Sequence, residues 1–151
     1  NITTCNFFVC FMKYSDFVSH GRLIKHEEAR RHGQITWIDE FEEVKDFVSA
    51  HATAFVSHQW LGYKLPDPQN VHFAAICAAL DELCVTHSVK KQDLYIWLDY
   101  SSIPQVNNVQ KALSISSIGM YASVARYFVI VCPNATHADS ELPVGPETYQ
   151  R

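Results

Sequence analysis

Three near-continuous apolar runs constrain the fold of this chain more than any other feature of its sequence. They are residues 53–57 (TAFVS), 94–98 (LYIWL) and 127–132 (YFVIVC). A strand with one face in water alternates apolar and polar residues, whereas these runs scarcely alternate, so both faces of each strand are expected to be covered. This pattern is typical of a parallel sheet enclosed by helices.

Amphipathic helices are predicted between these strands. Apolar residues recur with helical spacing over residues 73–84, and Asp67 and Pro68 mark a helix start, as a side-chain cap and as the first helical residue. A second apolar stripe runs over residues 109–124, with Asn107 or Asn108 as its cap. The alternation of strands and helices predicts right-handed crossovers and a doubly wound, three-layer α/β fold.

The chain of 151 residues is long enough for one α/β domain with a sizeable core. We divide it into an N-terminal helical extension, residues 1–50, and an α/β domain, residues 51–151. The extension carries one amphipathic pattern over residues 37–48 and a weaker one over residues 19–31, and its first dozen residues fit either a strand or a helix. Because the sequence begins with Asn1 and stops after a loop-like segment, we expect a C-terminally incomplete piece of a longer protein.

Composition and charge exclude several classes of protein. Twelve basic against 16 acidic residues give a net charge of -4, which argues against nucleic-acid binding. No apolar run reaches the length of a membrane span. Five cysteines without a C-x-x-C pair predict free thiols in an intracellular, reducing compartment, and the organelle stays open. No histidine or cysteine spacing predicts a metal site.

The expected ligand site lies where the parallel strands end. Sheets of this kind bind ligands at the carboxyl ends of their strands, and the helix N-termini that follow favour an anionic group. Three short segments follow the predicted strands, and the first two are rich in side chains that hydrogen-bond or stack. They are residues 57–60 (SHQW), 99–105 (DYSSIPQ) and 133–137 (PNATH).

Each of the main candidates in these segments has two interpretations. Asp99 can contact a ligand or brace the next loop, and His58 can be an acid/base group or a structural histidine. Trp60 can stack on a ligand ring or pack in the core. A hydrolase triad of Ser57 with His58 and Asp99 is disfavoured, since adjacent strand residues point to opposite faces and no G-x-S-x-G elbow occurs.

The same segments resemble the TIR/HET-like superfamily, which unites Toll/interleukin receptor and heterokaryon-incompatibility domains. Residues 55–60 (FVSHQW), followed by PDP at 66–68, resemble the S-[HY]-x-W element of HET-like domains. Residues 96–105 (IWLDYSSIPQ) resemble their W-[IL]-D-x-x-[CS]-I-P-Q element, and residues 118–126 resemble a later helix with altered spacing. Similar stretches occur in large algal and protist proteins. The resemblance covers roughly residues 52–133.

The resemblance implies one of two activities. Some TIR-like domains cleave NAD and release nicotinamide, so NAD is the expected substrate rather than a resident cofactor. Others self-associate as signalling modules, so the alternative is a non-catalytic interaction module, or a structural subunit of a large assembly, with protein partners. The cleaving members use a glutamate within W-C-x-x-E, and this chain has no such motif. No catalytic residue is therefore assigned, and Asp99 and His58 are the candidates. The predicted ligand-binding residues are Ser57, His58, Gln59, Trp60, Asp99 and Gln105.

Overall fold

The computed structural model describes residues 8–149 and contains one five-stranded sheet in the order β2-β1-β4-β3-β5. β1 pairs antiparallel with both of its neighbours, whereas β3 pairs in parallel with β4 and with β5. Four strands therefore run in one direction and β1 runs in the other. The strands are β1 Val9–Lys13, β2 Ile35–Ile38, β3 Ala52–His58, β4 Leu94–Leu98 and β5 Tyr127–Val131.

Helices cover both faces of this sheet. On one face, Ile76 and Leu80 of α4 pack against Ala54 and Val56 of β3. On the other face, residues of α3 and α7 pack against Phe55 and Trp97. The helices are α1 Tyr14–Ser19, α2 His26–Arg31, α3 Phe41–Ala50, α4 Val71–Thr86, α5 Asp99–Ser102, α6 Asn108–Ser116 and α7 Ile118–Val124. A separate hairpin is formed by β6 Ala135–Thr136 and β7 Pro143–Val144.

The predicted α/β fold is confirmed in its main feature: helices cover both faces of a sheet whose central strands are parallel. The three apolar runs are β3, β4 and β5, and β3 lies between the other two. β3 and β4 are buried along most of their length, as a strand covered on both faces must be. β5 differs because it pairs only with β3 in the described part of the chain, and Phe128 and Ile130 remain partly exposed.

The segment predicted as an N-terminal helical extension, with its first dozen residues open between strand and helix, contains two strands as well as helices. Residues 8–50 do form three helices, but β1 and β2 of the same segment extend the sheet beside β4. Trp37 lies in β2, and the helix predicted over residues 37–48 begins only at Phe41. A short apolar run such as Val9–Lys13 has no period that separates a buried strand from a buried helix. Pairing with β4, more than 80 residues away, is decided by tertiary structure.

Two helix boundaries also differ from the prediction. The apolar stripe over residues 109–124 is divided at Ser117, so Val109 is 71% exposed while Met120 and Tyr121 are buried. The Ser117 hydroxyl donates to the carbonyl of Leu113, and its backbone leaves the helical region, which ends α6. Because of this break, the apolar residues of α7 pack against the sheet while the first turn of α6 stays exposed.

The start of α4 lies three residues later than predicted. Pro68 precedes the helix, which begins at Val71. The prediction that Asp67 caps the helix is confirmed, because its two carboxylate oxygens accept hydrogen bonds from the backbone N–H groups of His72 and Phe73.

The described part of the chain bears on two further expectations. Cys10, Cys77, Cys84 and Cys132 are free thiols, as predicted, and Cys5 lies outside the described residues. Within residues 8–149, no helix combines the length and the apolar character needed to cross a membrane.

Candidate functional site

Asp99 is the centre of a polar network at the carboxyl end of β4. Its Oδ1 atom accepts hydrogen bonds from His58 Nε2 (3.2 Å) and from the backbone N–H of Tyr100 (2.7 Å). Its Oδ2 atom accepts one from Trp60 Nε1 at 2.7 Å. The Trp60 ring also meets the Tyr100 ring edge to face, with centroids 5.6 Å apart. The residues that follow β3 and β4 are therefore brought together, as the strand-end argument predicts.

The surroundings of Asp99 determine its charge. Burial raises the pKa of the Asp99 carboxyl, but the hydrogen bond and charge of His58, together with the Trp60 and Tyr100 donors, outweigh it. The pKa therefore lies below its ordinary value, and the side chain is ionised at neutral pH. A third of that side chain remains exposed, so the carboxylate braces the loop and still faces the crevice.

His58 continues this network away from the crevice. Its side chain is only 1% exposed, and its second nitrogen, Nδ1, lies 2.9 Å from Nδ1 of His72 at the start of α4. His72 is fully buried, and burial followed by the charge of His58 lowers its pKa to about 4. Both nitrogens of His58 are thus occupied by protein groups. This geometry favours the structural interpretation of His58 over the acid/base one.

Ser57 and Gln59 contact the C-terminal part of the described chain. The Ser57 and Tyr149 hydroxyl groups are hydrogen-bonded to each other, and the Thr148 hydroxyl donates to the Gln59 side-chain oxygen at 3.4 Å. Ser57 is not joined to His58, so the disfavoured triad is not assembled. Adjacent strand residues point to opposite faces, which is the physical reason.

Gln105 turns back onto its own loop. Its side-chain amide donates to the carbonyl oxygens of Ile103 (2.7 Å) and Asp99 (3.4 Å). This arrangement closes the turn after α5, where Gln105 follows Pro104. Its side chain contacts backbone carbonyl oxygens rather than the side chains of the other predicted site residues.

Two residues of α2 hold this loop, and sequence reasoning did not identify them. Glu27 Oε1 accepts the backbone N–H groups of Gln105 (2.7 Å) and Val106 (2.9 Å). The buried His26 bonds through Nδ1 to the carbonyl of Ser101 at 3.0 Å. These contacts join residues 75 to 79 positions apart. The sequence of α2 does not indicate these contacts, because Glu27 has the same pattern as a charged residue on a solvent-exposed helix face.

Two openings flank the network. A cavity of about 130 Å³ is lined by Ser57, Trp97 and Asp99 among others. A groove of about 300 Å³ is lined by Arg22, Asn70 and Tyr100, with the loop that carries Asp67 as one wall. Asp99 borders the cavity and its neighbour Tyr100 borders the groove. The cavity and the groove are therefore lined by two consecutive residues, Asp99 and Tyr100.

The third strand-end segment does not join the network through its own side chains. Residues 133–137 lead into the β6-β7 hairpin, where the His137 ring lies 4.7 Å from the Tyr63 ring and Ala138 donates to the carbonyl of Leu61. The segment therefore packs on the loop that follows β3. Among residues 8–149, no group of three histidine, cysteine or acidic side chains is arranged to hold a metal ion.

The chain was also compared with known proteins. Comparisons with protein-family models, with curated proteins and with solved structures gave no match.

Proposed function

We propose that this chain is a TIR/HET-like domain that binds a nucleotide, with NAD as the first candidate, at the crevice where β3 and β4 end. One observation carries the proposal. The ionised Asp99 stands between a cavity and a groove at the edge of a parallel sheet, the position at which such sheets bind ligands. The resemblance of residues 55–60 and 96–105 to HET-like motifs supports the same site.

The groove suits the anionic part of such a ligand. The Arg22 side chain is half exposed, and both of its terminal nitrogens donate to Glu28, at 2.6 and 3.2 Å. Its Nε–H and one Nη2–H group are the donors left for a phosphate. Tyr100 offers an aromatic wall, and Asn70 offers an amide. The negative charge of Asp67 is directed into α4, where it accepts two backbone N–H groups. A dinucleotide that spans both openings would pass over Asp99.

Cleavage of NAD at this site would break the bond between the ribose C1′ and the nicotinamide nitrogen: nicotinamide would leave with the electron pair, and water would add to C1′ and lose a proton. The ribose then develops oxocarbenium-like positive charge, which a nearby carboxylate stabilises. Asp99 is the candidate carboxylate, and its hydrogen bonds with His58, Trp60 and Tyr100 would hold it in place while charge develops. His58 is then a positioning residue rather than a proton carrier.

Calorimetric titration with NAD tests the proposal directly. Asp99→Asn removes the charge while keeping the size of the side chain, and we expect about tenfold weaker NAD binding, the loss of one charge-assisted contact. Asp93→Asn is the matched control, because Asp93 is exposed at the opposite end of β4. Unchanged affinity in a folded Asp99→Asn protein would remove Asp99 from the site. Chromatography of the same samples then measures whether nicotinamide is released.

A second candidate function is self-association without turnover. Val106, Val109 and Ile115 on and before α6 are more than half exposed, and Lys111 is the only charged residue between positions 106 and 116. Two copies with a net charge of -4 repel each other elsewhere, so this nearly uncharged apolar surface is where a second copy would approach.

Sedimentation of the chain and of two variants tests this candidate. Val109→Asp places a charge in the apolar surface and should convert a dimer to a monomer. Val85→Asp is the control, since Val85 is equally exposed at the far end of α4. A wild-type chain that remains monomeric at high concentration would eliminate self-association through α6.

A further inference from the structure

A groove of about 390 Å³ lies between α3 and the edge strand β2, on the face of the sheet that α4 does not cover. It is lined by Ile38 of β2 and by Glu43, Asp46, Phe47 and Ala50 of α3. The four α3 residues are spaced i, i+3, i+4 and i+7, so they form one side of that helix. Ile38 and Phe47 are the least exposed of the five, whereas both acidic side chains are exposed. The groove therefore has an apolar floor and an acidic rim.

β2 offers an open backbone edge beside this groove. It is the outermost strand on its side of the sheet and pairs only with β1 in the described part of the chain. Every second residue of such a strand directs its backbone N–H and C=O groups outward, where a further strand can pair with them. The side chains of an added strand alternate between the two faces of the sheet, and those on the α3 face would point to the groove. The groove therefore suits an extended segment.

The net charge of the chain is concentrated around this groove. Residues 39–46 contain five acidic residues and one basic residue, so they carry a charge of -4, which equals the net charge of the whole chain. Since the chain has 16 acidic and 12 basic residues in total, 11 of each sign remain elsewhere and balance each other. Lys45 pairs with Glu42 at 2.7 Å, and within residues 8–149 no basic side chain forms an ion pair with Glu43 or Asp46. The complementary partner is therefore basic.

We infer that this groove binds an extended basic segment of a partner protein, which pairs with β2 and places one apolar side chain against Ile38 and Phe47. Lysine or arginine residues two positions before and after the apolar residue share its face of the strand and would contact Glu43 and Asp46. A second copy of this chain does not suit the groove, because a symmetric contact would bring two surfaces of charge -4 together. The phosphates of a nucleic acid would be repelled for the same reason.

The peptide Thr-Lys-Thr-Leu-Thr-Lys-Thr is the probe, because its leucine and both lysines share one face when it is extended. Proton–nitrogen NMR spectra of the 151-residue chain report its binding. We expect the backbone amide signals of β2 and of α3 to move saturably, while those of β5 at the opposite edge of the sheet stay in place. Replacing the leucine by serine, or both lysines by glutamate, should weaken binding by about tenfold or more. Binding that is absent, equally strong for either altered peptide or equally strong at β5 overturns the inference.

Two matched pairs of variants locate the binding surface. Ala50→Lys places a long cationic side chain in the groove and should weaken peptide binding by about tenfold or more. Ser49→Lys makes the same change of charge at the neighbouring exposed residue, which does not line the groove, and should have a smaller effect. Asp46→Asn should weaken binding about two- to fivefold, whereas Glu82→Gln, on α4 at the other face of the sheet, should not. Equal effects within either pair contradict the inference.

Backbone N-methylation of the peptide tests its pairing with β2. Successive N–H groups of an extended peptide point to opposite edges, so methylation of alternate residues blocks one edge at a time. One peptide carries methyl groups on the leucine and lysines, and the other carries them on the threonines. We expect only one of the two peptides to lose binding. If both bind like the parent peptide, or if both fail to bind, the segment does not pair with β2 and the inference is overturned.

Discussion

His58 and His72 face each other through their Nδ1 atoms, which lie 2.9 Å apart. Two ring nitrogens can share a hydrogen bond only if one carries a proton and the other does not. His58 Nε2 faces the Asp99 carboxylate and must carry a proton there. The proton between the two rings belongs to His72 when His58 is neutral, and to His58 when it is charged. In both states His72 is neutral. The hydrogen bonds from His72 through His58 to Asp99 link the start of α4 to the end of β4.

The neutral His72 predicts a specific loss of stability in acid. Its pKa is about 4 in the folded chain and about 6.5 in the unfolded chain, so only the unfolded state binds a proton between these values. The free energy of unfolding therefore falls as the pH drops from about 6.5 to about 4. At about 1.4 kcal/mol per pKa unit, the contribution of His72 is on the order of 3 kcal/mol.

Urea unfolding of His72→Gln at several pH values measures this contribution. Glutamine keeps a donor for His58 but does not titrate, so we expect a shallower decline of stability between pH 6.5 and pH 4 than in the wild-type chain. His87→Gln is the control, because His87 is exposed. Equal slopes for wild type and His72→Gln would show that His72 is not the buried neutral group.

Trp60 and Asp99 should be energetically coupled. Trp60→Phe removes the indole donor and keeps an aromatic ring against Tyr100, and we expect a loss of about 1.5–3 kcal/mol, the usual range for a hydrogen bond to a charged group. Asp99→Asn removes the charge from the same contact. In a double-mutant cycle the two losses should be clearly non-additive. Additive losses would mean that the contact contributes nothing of its own.

Glu27 should control the loop that follows α5. Glu27→Ala leaves the backbone N–H groups of Gln105 and Val106 without their acceptor, and we expect a loss of about 1–3 kcal/mol in the free energy of unfolding. Glu27→Gln keeps an acceptor oxygen and should restore part of it. Glu43→Ala, on the exposed face of α3, is the control and should have little effect.

The pH dependence of two amide signals tests the same clamp. Burial raises the pKa of Glu27, but the backbone donors, Val106 first, outweigh it, so the pKa lies below its usual value. The hydrogen bonds therefore persist above the ordinary glutamate pKa and weaken as the pH falls through the lowered one. NMR signals of the Gln105 and Val106 amides should move upfield together in that acid range. Signals that stay constant would contradict the clamp.

Gly62 and Gly119 should respond in opposite ways to alanine. A Cβ atom at Gly62 would lie 2.7 Å from the backbone oxygen of Leu65, so Gly62→Ala must displace the loop beside the groove. We expect a loss of about 1–3 kcal/mol for this overpacking. Gly119 lies inside α7 with open space around it, and Gly119→Ala should stabilise the chain by about 0.5–1 kcal/mol. Thermal unfolding of both variants provides the comparison.

Local patterns in the sequence predict the parallel part of the sheet and the polar character of its edge. β3, β4 and β5 could be predicted because a strand covered on both faces needs an unbroken apolar run, which is a local property of the sequence. Ser57, His58, Trp60 and Asp99 are candidate site residues from the sequence alone, because the direction of the chain places them after the ends of parallel strands.

Which side chains contact each other depends on the tertiary structure. The contacts of Glu27 with Gln105 and of Ser57 with Tyr149 join residues 78 and 92 positions apart. The antiparallel entry of β1 beside β4 is equally remote in sequence. Such pairings depend on strand order and on how helices dock, and no local period encodes either. For the same reason, periodicity could not predict that Ser117 divides one apolar stripe into a buried helix and an exposed one.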